Sequence, residues 1–227
     1  MSREVDELRS DAAARYSGVL DAATEALPQS IEDARRLLAP IAGEVWMGRL
    51  TLHGATAAGS ETRTSRRVSD RTRAEVFLRD GFLCTYCGGR TIPRCILVAI
   101  SDVFPDEFPY YAHYRRGTVH PAYWALAPEA DHVVAHASGG SDDASNLTTL
   151  HAMCNTRKSS LAANGLPVIE RVADLDGWDG LLSRYADIVV AGDTHGRRHA
   201  APGYHRAWLR RFGLDMPHSH REGPPGL

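Results

Sequence analysis

Four candidate metal ligands constrain the fold of this chain most strongly. Cys84 and Cys87 form a C-x-x-C turn, and His151 and Cys154 lie three residues apart much later in the chain. Residues 146–164 have a helical pattern, and residues at i and i+3 share one face of a helix. Three cysteines and one histidine are a recognised closed ligand set for structural zinc. The sequence therefore predicts a Zn²⁺ site that ties a turn to a helix.

A second group of polar residues lies close to the zinc candidates. Asp131 and His132 precede a Gly-Gly turn at 139–140 and are expected on a strand. Alternation sends their side chains to opposite faces of an ideal strand, so a shared site would require a twist or a bulge. Asn155 follows the last zinc candidate and lies about 100° further around the predicted helix. It is therefore expected to serve a different neighbour.

The ordered set of these residues resembles the HNH endonuclease family, whose ββα-metal core is a hairpin followed by a helix. The resemblance covers roughly residues 70–165 and departs from the family pattern at His151, where a cysteine is usual. Histidine is an acceptable zinc ligand, so the ion is expected to be kept. The matching positions are Cys84, Cys87, Asp131, His132, Gly139, Gly140, Asp143, Asn146, Leu147, Leu150, His151, Cys154, Asn155 and Lys158.

The resemblance implies a role for each of the polar positions. His132 matches the general base that activates water, a task suited to a histidine near neutral pH. Asp131 and Asn155 match the ligands of the catalytic cation, and oxygen ligands favour Mg²⁺ or Mn²⁺. Asn146 matches the residue that braces the loop holding the histidine. The implied reaction is hydrolysis of DNA that leaves a 5′ phosphate and a 3′ hydroxyl. The alternative is a zinc-stabilised nucleic-acid-binding module that no longer cuts.

Candidate contacts to nucleic acid come from clustered arginines. The formal net charge is −2, yet a nearly neutral chain can still present a basic face to phosphates. Arg71 and Arg73 belong to a cluster at 63–79, and interleaved acidic residues leave a solvated helix face as the alternative. His136 either contacts a phosphate or the metal, or is a polar hairpin residue. Lys158, the only lysine, either contacts a phosphate or is a solvated surface residue.

The expected architecture is α+β, with a ββα-metal HNH core, a structural zinc site and flanking α-helices. Hydrophobic periodicity predicts helices at 3–27, from Ser30 to about Pro40, at 71–79, at 178–190 and at 204–212, while 123–134 supplies the first hairpin strand. The N-terminal helices are expected to pack on each other or to form a homodimer. The predicted regions are a helical part at 1–50, a linker at 51–69, the nuclease domain at 70–165, a helical part at 166–216 and a disordered tail at 217–227.

The segment 88–128 is longer than the family core requires and is rich in Tyr, Phe and Pro. Its aromatic residues, with Arg115 and Arg116, are candidates for stacking on bases. The alternative, which we favour, is an embedded core that supports the hairpin.

The remaining composition predicts a cytoplasmic protein. The chain has no apolar run long enough to span a membrane, and its start lacks a signal-peptide core. Three of the four cysteines are assigned to zinc, which argues against a disulfide framework. Cys95 is left over and is expected to be a buried thiol.

Overall fold

The computed structural model describes residues 2–49, 68–134, 139–158, 177–201 and 203–215, with the backbone alone at 157 and 158. Its architecture is α+β, as predicted, and β3, β4 and α6 form the ββα unit. Within the described ranges, no helix is both long enough and apolar enough to cross a membrane. The elements in chain order are β1 (Arg3–Val5), α1 (Ala12–Ala26), α2 (Ile31–Leu38), β2 (Glu44–Trp46), α3 (Asp70–Arg79), α4 (Arg94–Val103), α5 (Ala122–Leu126), β3 (Pro128–His132), β4 (Leu147–His151), α6 (Ala152–Lys158), α7 (Tyr185–His195) and α8 (Tyr204–Arg211).

The N-terminal region begins with a strand where the sequence predicted a helix. Residues 3–5 pair in parallel with 44–46, and the backbone N–H of Met47 donates to the carbonyl of Val5 at 2.8 Å. Helix α1 therefore starts at Ala12. The prediction for residues 3–11 was wrong because pairing with a distant strand outweighs the local helical pattern.

Helices α1 and α2 pack against each other, and α1 also packs against α5. Helix α2 begins where it was predicted, since the Ser30 side chain accepts a hydrogen bond from the Asp33 N–H at 3.2 Å. Its end at Leu38 precedes Pro40. Most apolar residues of the two helices, including Leu20 and Leu38, are buried within the chain, whereas Leu37 is exposed. The predicted homodimer through these helices therefore gains no support.

The long insertion forms an embedded core. Every residue of α4 after Arg94 is buried, as is the whole of α5. Tyr123 and Trp124 are 0% and 1% exposed. One hydrophobic core joins the insertion to the N-terminal helices and to α7 and α8. The insertion therefore supports the hairpin, as favoured from the sequence.

The segment 146–164 was predicted to be one helix, and its first part is instead a strand. Residues 147–151 form β4 and pair antiparallel with β3, with His132 opposite Leu147. The buried carboxylate of Asp80 accepts a hydrogen bond from the Thr149 N–H at 2.9 Å and fixes the strand from its other side. Residues 159–164, most of the predicted linker and the predicted tail lie outside the described residues.

Two further elements differ in extent from the prediction. The stretch 123–134 was predicted to supply the first hairpin strand. It contains the last residues of α5, and β3 follows at Pro128–His132. Helix α7 starts at Tyr185 rather than at 178, after a 3₁₀ turn at Leu182–Arg184. Helix α8 is confirmed within one residue. The proposed domain boundaries stay a prediction.

Candidate metal and catalytic site

Three cysteines and one histidine converge at the junction of β4 and α6. The Sγ atoms of Cys87 and Cys154 are 3.8 Å apart, and His151 Nδ1 is 3.4 Å from the first and 3.7 Å from the second. With Cys84, the four ligand atoms lie within 4.8 Å of one another. Tetrahedral zinc with Zn–S bonds of about 2.3 Å would separate two sulfurs by about 3.8 Å. These four residues could therefore hold a zinc ion.

The four predicted ligands converge, but the secondary structure that positions His151 and Cys154 differs from the prediction. His151 is the last residue of β4, and Cys154 lies in the first turn of α6. The two ligands therefore meet because the chain changes from strand to helix between them, and not because they share a helical face. Opposite them, the Cys84 N–H donates to the Gly89 carbonyl at 2.9 Å and closes the C-x-x-C turn.

Neighbouring groups orient the histidine towards the sulfurs. His151 Nε2 lies 2.9 Å from the carbonyl of Arg90, to which it donates, so Nδ1 carries the lone pair that a metal requires. The His151 backbone N–H also donates to Cys84 Sγ at 3.4 Å. A Cβ at Gly89 would lie 3.0 Å from the imidazole and 3.3 Å from Cys87 Sγ. The close approach of the turn thus depends on glycine at this position.

The crowded thiols influence one another's protonation. Hydrogen bonds with Cys154 and Cys87 lower the pKa of Cys84, and hydrogen bonds with Cys84 and Cys87 raise the pKa of Cys154. A bound dication would stabilise all three groups as thiolates. Cys95 differs, because burial raises the pKa of its thiol to about 12. It is 1% exposed, which confirms it as a buried thiol.

His132 ends β3, and its ring is paired with a carboxylate. Its Nε2 lies 2.8 Å from Oδ1 of Asp142, and the two side chains are 22% and 31% exposed. The neighbouring Asp143, which matches the family pattern but was given no role from the sequence, is exposed. Nothing in the spacing distinguishes the two aspartates, since the conformation of the loop decides which of them reaches the ring.

Asn146 holds the described ends of that loop together. Its Oδ1 accepts a hydrogen bond from the Val134 N–H at 3.0 Å, and its Nδ2 donates to the carbonyls of Val134 at 3.1 Å and Ser141 at 2.8 Å. A Cβ at Gly140 would lie 1.8 Å from the Val134 carbonyl oxygen, so the crossing requires glycine. His136 lies outside the described residues.

Asn155 contacts a carboxylate that the sequence analysis missed. Its Nδ2 donates to Glu129 Oε2 at 2.6 Å. Glu129 and Asp131 are two residues apart on β3, and strand alternation places them on one face of the hairpin. The strand alternation was the signal that would have found Glu129. The register of β3 and β4 is continuous from 128 to 132, so β3 has no bulge, and His132 is its last residue.

The oxygen donors near Asp131 match the preferences of Mg²⁺ or Mn²⁺ in kind. Among the described residues, the Cys84 group is the one set of three or more His, Cys, Asp or Glu side chains whose ligand atoms converge. Asp131 and Asn155 as ligands of the catalytic cation therefore stay a prediction.

The arginines before the C-x-x-C turn differ in their contacts and in their exposure. Arg79 donates to the carbonyls of Ala144 at 2.5 Å and Leu147 at 2.7 Å and so pins α3 to the hairpin. Arg71 is exposed, and Arg73 is partly buried. The side chain of Lys158 lies outside the described residues.

The hairpin, its loop and α6 coincide with a known sequence family. Residues 125–161 match the model of the HNH endonuclease family. The match confirms the resemblance and contains His132, Asn146, His151 and Asn155. Comparisons with curated proteins and with solved structures give no match. The HNH segment indicates nuclease-type chemistry on nucleic acid.

Proposed function

We propose that this protein is a zinc-stabilised HNH endonuclease that hydrolyses DNA phosphodiester bonds with one divalent cation. The observation that carries the proposal is the contact of His132 Nε2 with Asp142 at 2.8 Å, at the end of a strand within the matched HNH segment. A histidine paired in this way has the two properties of a general base, a fixed orientation and a nearby negative charge.

His132 takes a proton from the attacking water through its second ring nitrogen. Asp142 holds the ring at Nε2 and stabilises the imidazolium that forms, as the aspartate of a Ser-His-Asp triad does. The water oxygen bonds to phosphorus as the bond from phosphorus to the 3′ oxygen breaks, and the released 3′ oxygen takes a proton from solvent water. The products are a 5′ phosphate and a 3′ hydroxyl. Asn146 keeps the loop in the conformation that brings Asp142 to the ring.

Asp131 and Asn155 are the residues that would hold Mg²⁺ or Mn²⁺. Such a cation, when bound, supplies positive charge that stabilises the transition state and the leaving oxygen. Glu129, two residues before Asp131 on β3, accepts a hydrogen bond from the Asn155 amide at 2.6 Å and fixes the orientation of that amide.

Binding of DNA is assigned to residues around this hairpin. Arg71 is exposed on α3 and is placed to contact a phosphate, and we assign the same contact to His136 and Lys158. The cytoplasmic location stays a prediction.

The test is cleavage of supercoiled plasmid by zinc-loaded protein, with Mg²⁺ or Mn²⁺ added or omitted. Omitting the cation is a cleaner control than EDTA, because a chelator would also remove the structural zinc. Conversion of supercoiled plasmid that requires the added cation and is lost in His132→Ala supports the proposal. Tight DNA binding without any cleavage would support the non-catalytic module instead.

A further inference from the structure

A cavity of about 520 Å³ lies between α3, the start of α4, the start of β3 and α8. Its volume falls within the range of about 300–1,000 Å³ that is usual for sites of small organic ligands. The walls from α3, α4 and α8 lie outside the matched segment 125–161. The flanking regions of this chain thus build a space that the HNH unit alone does not have.

Aromatic rings and arginines line this cavity. The rings belong to Tyr110 and Tyr114 on the insertion and to Tyr204 and Trp208 on α8. The guanidinium carbon of Arg94 lies 5.0 Å from the Tyr114 ring centroid and 5.8 Å from that of Tyr110. Its Nη2 donates to the Tyr110 hydroxyl at 2.9 Å, which fixes the side chain in the wall.

Arg73 offers a second positive charge, and one of its donors is unused by the described residues. Its Nε is buried and has no hydrogen-bond partner among them. Two carboxylates also line the cavity. Asp70 is paired with Arg211 at 3.4 Å, and Glu129 accepts the hydrogen bond from Asn155.

Glu129 connects the cavity to the candidate catalytic site. It belongs to the wall of the cavity and contacts Asn155, a candidate ligand of the catalytic cation. Ala152, the first residue of α6, lines the cavity as well. A molecule in the cavity would therefore lie next to Glu129, which contacts the candidate cation ligand Asn155.

We propose that the cavity receives one unpaired nucleotide of a single strand, beside the bond that is cut. Aromatic rings stack on a base of any sequence, and the arginine side chains of Arg73 and Arg94 in the wall suit a phosphate. A base within a duplex is already stacked and would have to be extruded to enter. The inference rests on the proposed nuclease function and gives it a substrate class, which is DNA with an unpaired segment.

The experiment measures binding to full-length, zinc-loaded protein without added Mg²⁺ or Mn²⁺. Labelled 12-nucleotide single-stranded DNA, the matched duplex and a deoxynucleoside monophosphate serve as probes. We expect the single strand to bind at least 10-fold more tightly than the duplex. Arg73→Gln and Trp208→Leu should each weaken single-strand binding about 10-fold, whereas Trp208→Phe should keep most of it. Binding of the duplex should change little in these variants.

Arg206→Gln is the matched control, since Arg206 is exposed on α8 and does not line this cavity. It loses the same charge as Arg73→Gln, and melting temperatures and zinc content identify any variant that fails to fold. Equal affinity for single strand and duplex, or equal effects of Arg73→Gln and Arg206→Gln, would overturn the proposal. So would a monophosphate that binds more tightly than the oligonucleotide, because the ligand would then be a free nucleotide. Because no cleavage is required, selective binding in a protein that does not cut would reject the nuclease and keep the cavity assignment.

Discussion

The imidazole of His132 and the carboxylate of Asp142 meet at 2.8 Å across the loop that joins β3 to β4. They are ten positions apart in the chain, so the loop conformation determines whether the ring is oriented. Asn146 and the close crossing at Gly140 hold that conformation in the described part of the loop. A local backbone arrangement therefore controls the proposed general base.

Replacement of Asp142 tests this pairing. Asp142→Asn should lower the cleavage rate about 10- to 100-fold, because a neutral amide stabilises an imidazolium less well than a carboxylate does. Asp142→Glu should retain more activity, and DNA affinity and zinc content should not change. The matched control is Asp143→Asn, which alters the exposed neighbour. An equal loss in the two asparagine variants would contradict the pairing.

If the four candidate ligands bind zinc, replacing Cys154 should destabilise the protein through loss of the ion, whereas replacing Cys95 should leave the ion in place. Cys154→Ser should reduce bound zinc from one ion per chain towards none and lower the melting temperature, because structural zinc contributes directly to folding. Elemental analysis and thermal unfolding give the two readouts. Cys95→Ala is the control, since it removes a buried thiol that is outside the ligand set. Full zinc content in Cys154→Ser would exclude this residue as a ligand.

Because the Asn146 side chain holds the loop between β3 and β4, we expect its removal to loosen the loop and to lower the cleavage rate together. Asn146→Ala removes three side-chain hydrogen bonds and should destabilise the protein by about 1 to 2 kcal/mol. Cleavage should fall as well, because the pairing of His132 with Asp142 is loosened. Hydrogen exchange of the Val134 amide should become faster in this variant and stay unchanged in the control, Ser145→Ala. An unchanged exchange rate in Asn146→Ala would contradict the brace.

The buried imidazole of His120 should make the free energy of unfolding depend on pH. Burial lowers the pKa of His120 to about 4, and both ring nitrogens are engaged, Nε2 with the Ile41 carbonyl and Nδ1 with the Ala122 N–H. The unfolded chain would take up this proton near pH 6.5. The contribution of the neutral ring is therefore complete above pH 6.5 and is lost as the pH falls towards 4. Its size over that interval is about 3 kcal/mol.

Urea unfolding of zinc-loaded protein at several pH values measures this contribution. His120→Gln should be less stable than the wild type at pH 7, and the difference in free energy of unfolding should shrink as the pH falls to 4. The comparison of two proteins at each pH removes the effect of zinc release, which both share. A difference that stays constant from pH 7 to pH 4 would show that His120 does not titrate as its burial requires.

The convergence of the four candidate zinc ligands was predictable from the sequence because few residue types bind zinc and their spacing is restrictive. The secondary structure that carries them was not predictable. Residues 147–151 form a strand because they pair with β3 and because Asp80 holds the Thr149 amide, and both partners are distant in sequence. Local periodicity gives no information on either contact. The predicted helix therefore began too early in the chain.

Asp142 and Glu129 were missed for two different reasons. Asp142 reaches His132 through the loop conformation, which the residue types alone do not specify. Glu129 contacts Asn155 because α6 packs near β3, although its position two residues before Asp131 was a usable signal of a shared face. The cavity with Arg73 and Trp208 joins segments that are more than a hundred residues apart in the chain, and such a meeting follows from the tertiary fold alone.

The most direct test of the central claim is chemical rescue of the His132→Ala variant. The rate of plasmid conversion would be measured with saturating Mn²⁺ for wild-type protein and for His132→Ala at equal zinc content, with and without free imidazole. The account predicts that the variant is slower by about 10²- to 10⁴-fold and that imidazole restores part of its rate, because the missing group is a base. Wild-type rates in the variant without imidazole would contradict the assignment of His132 as the general base.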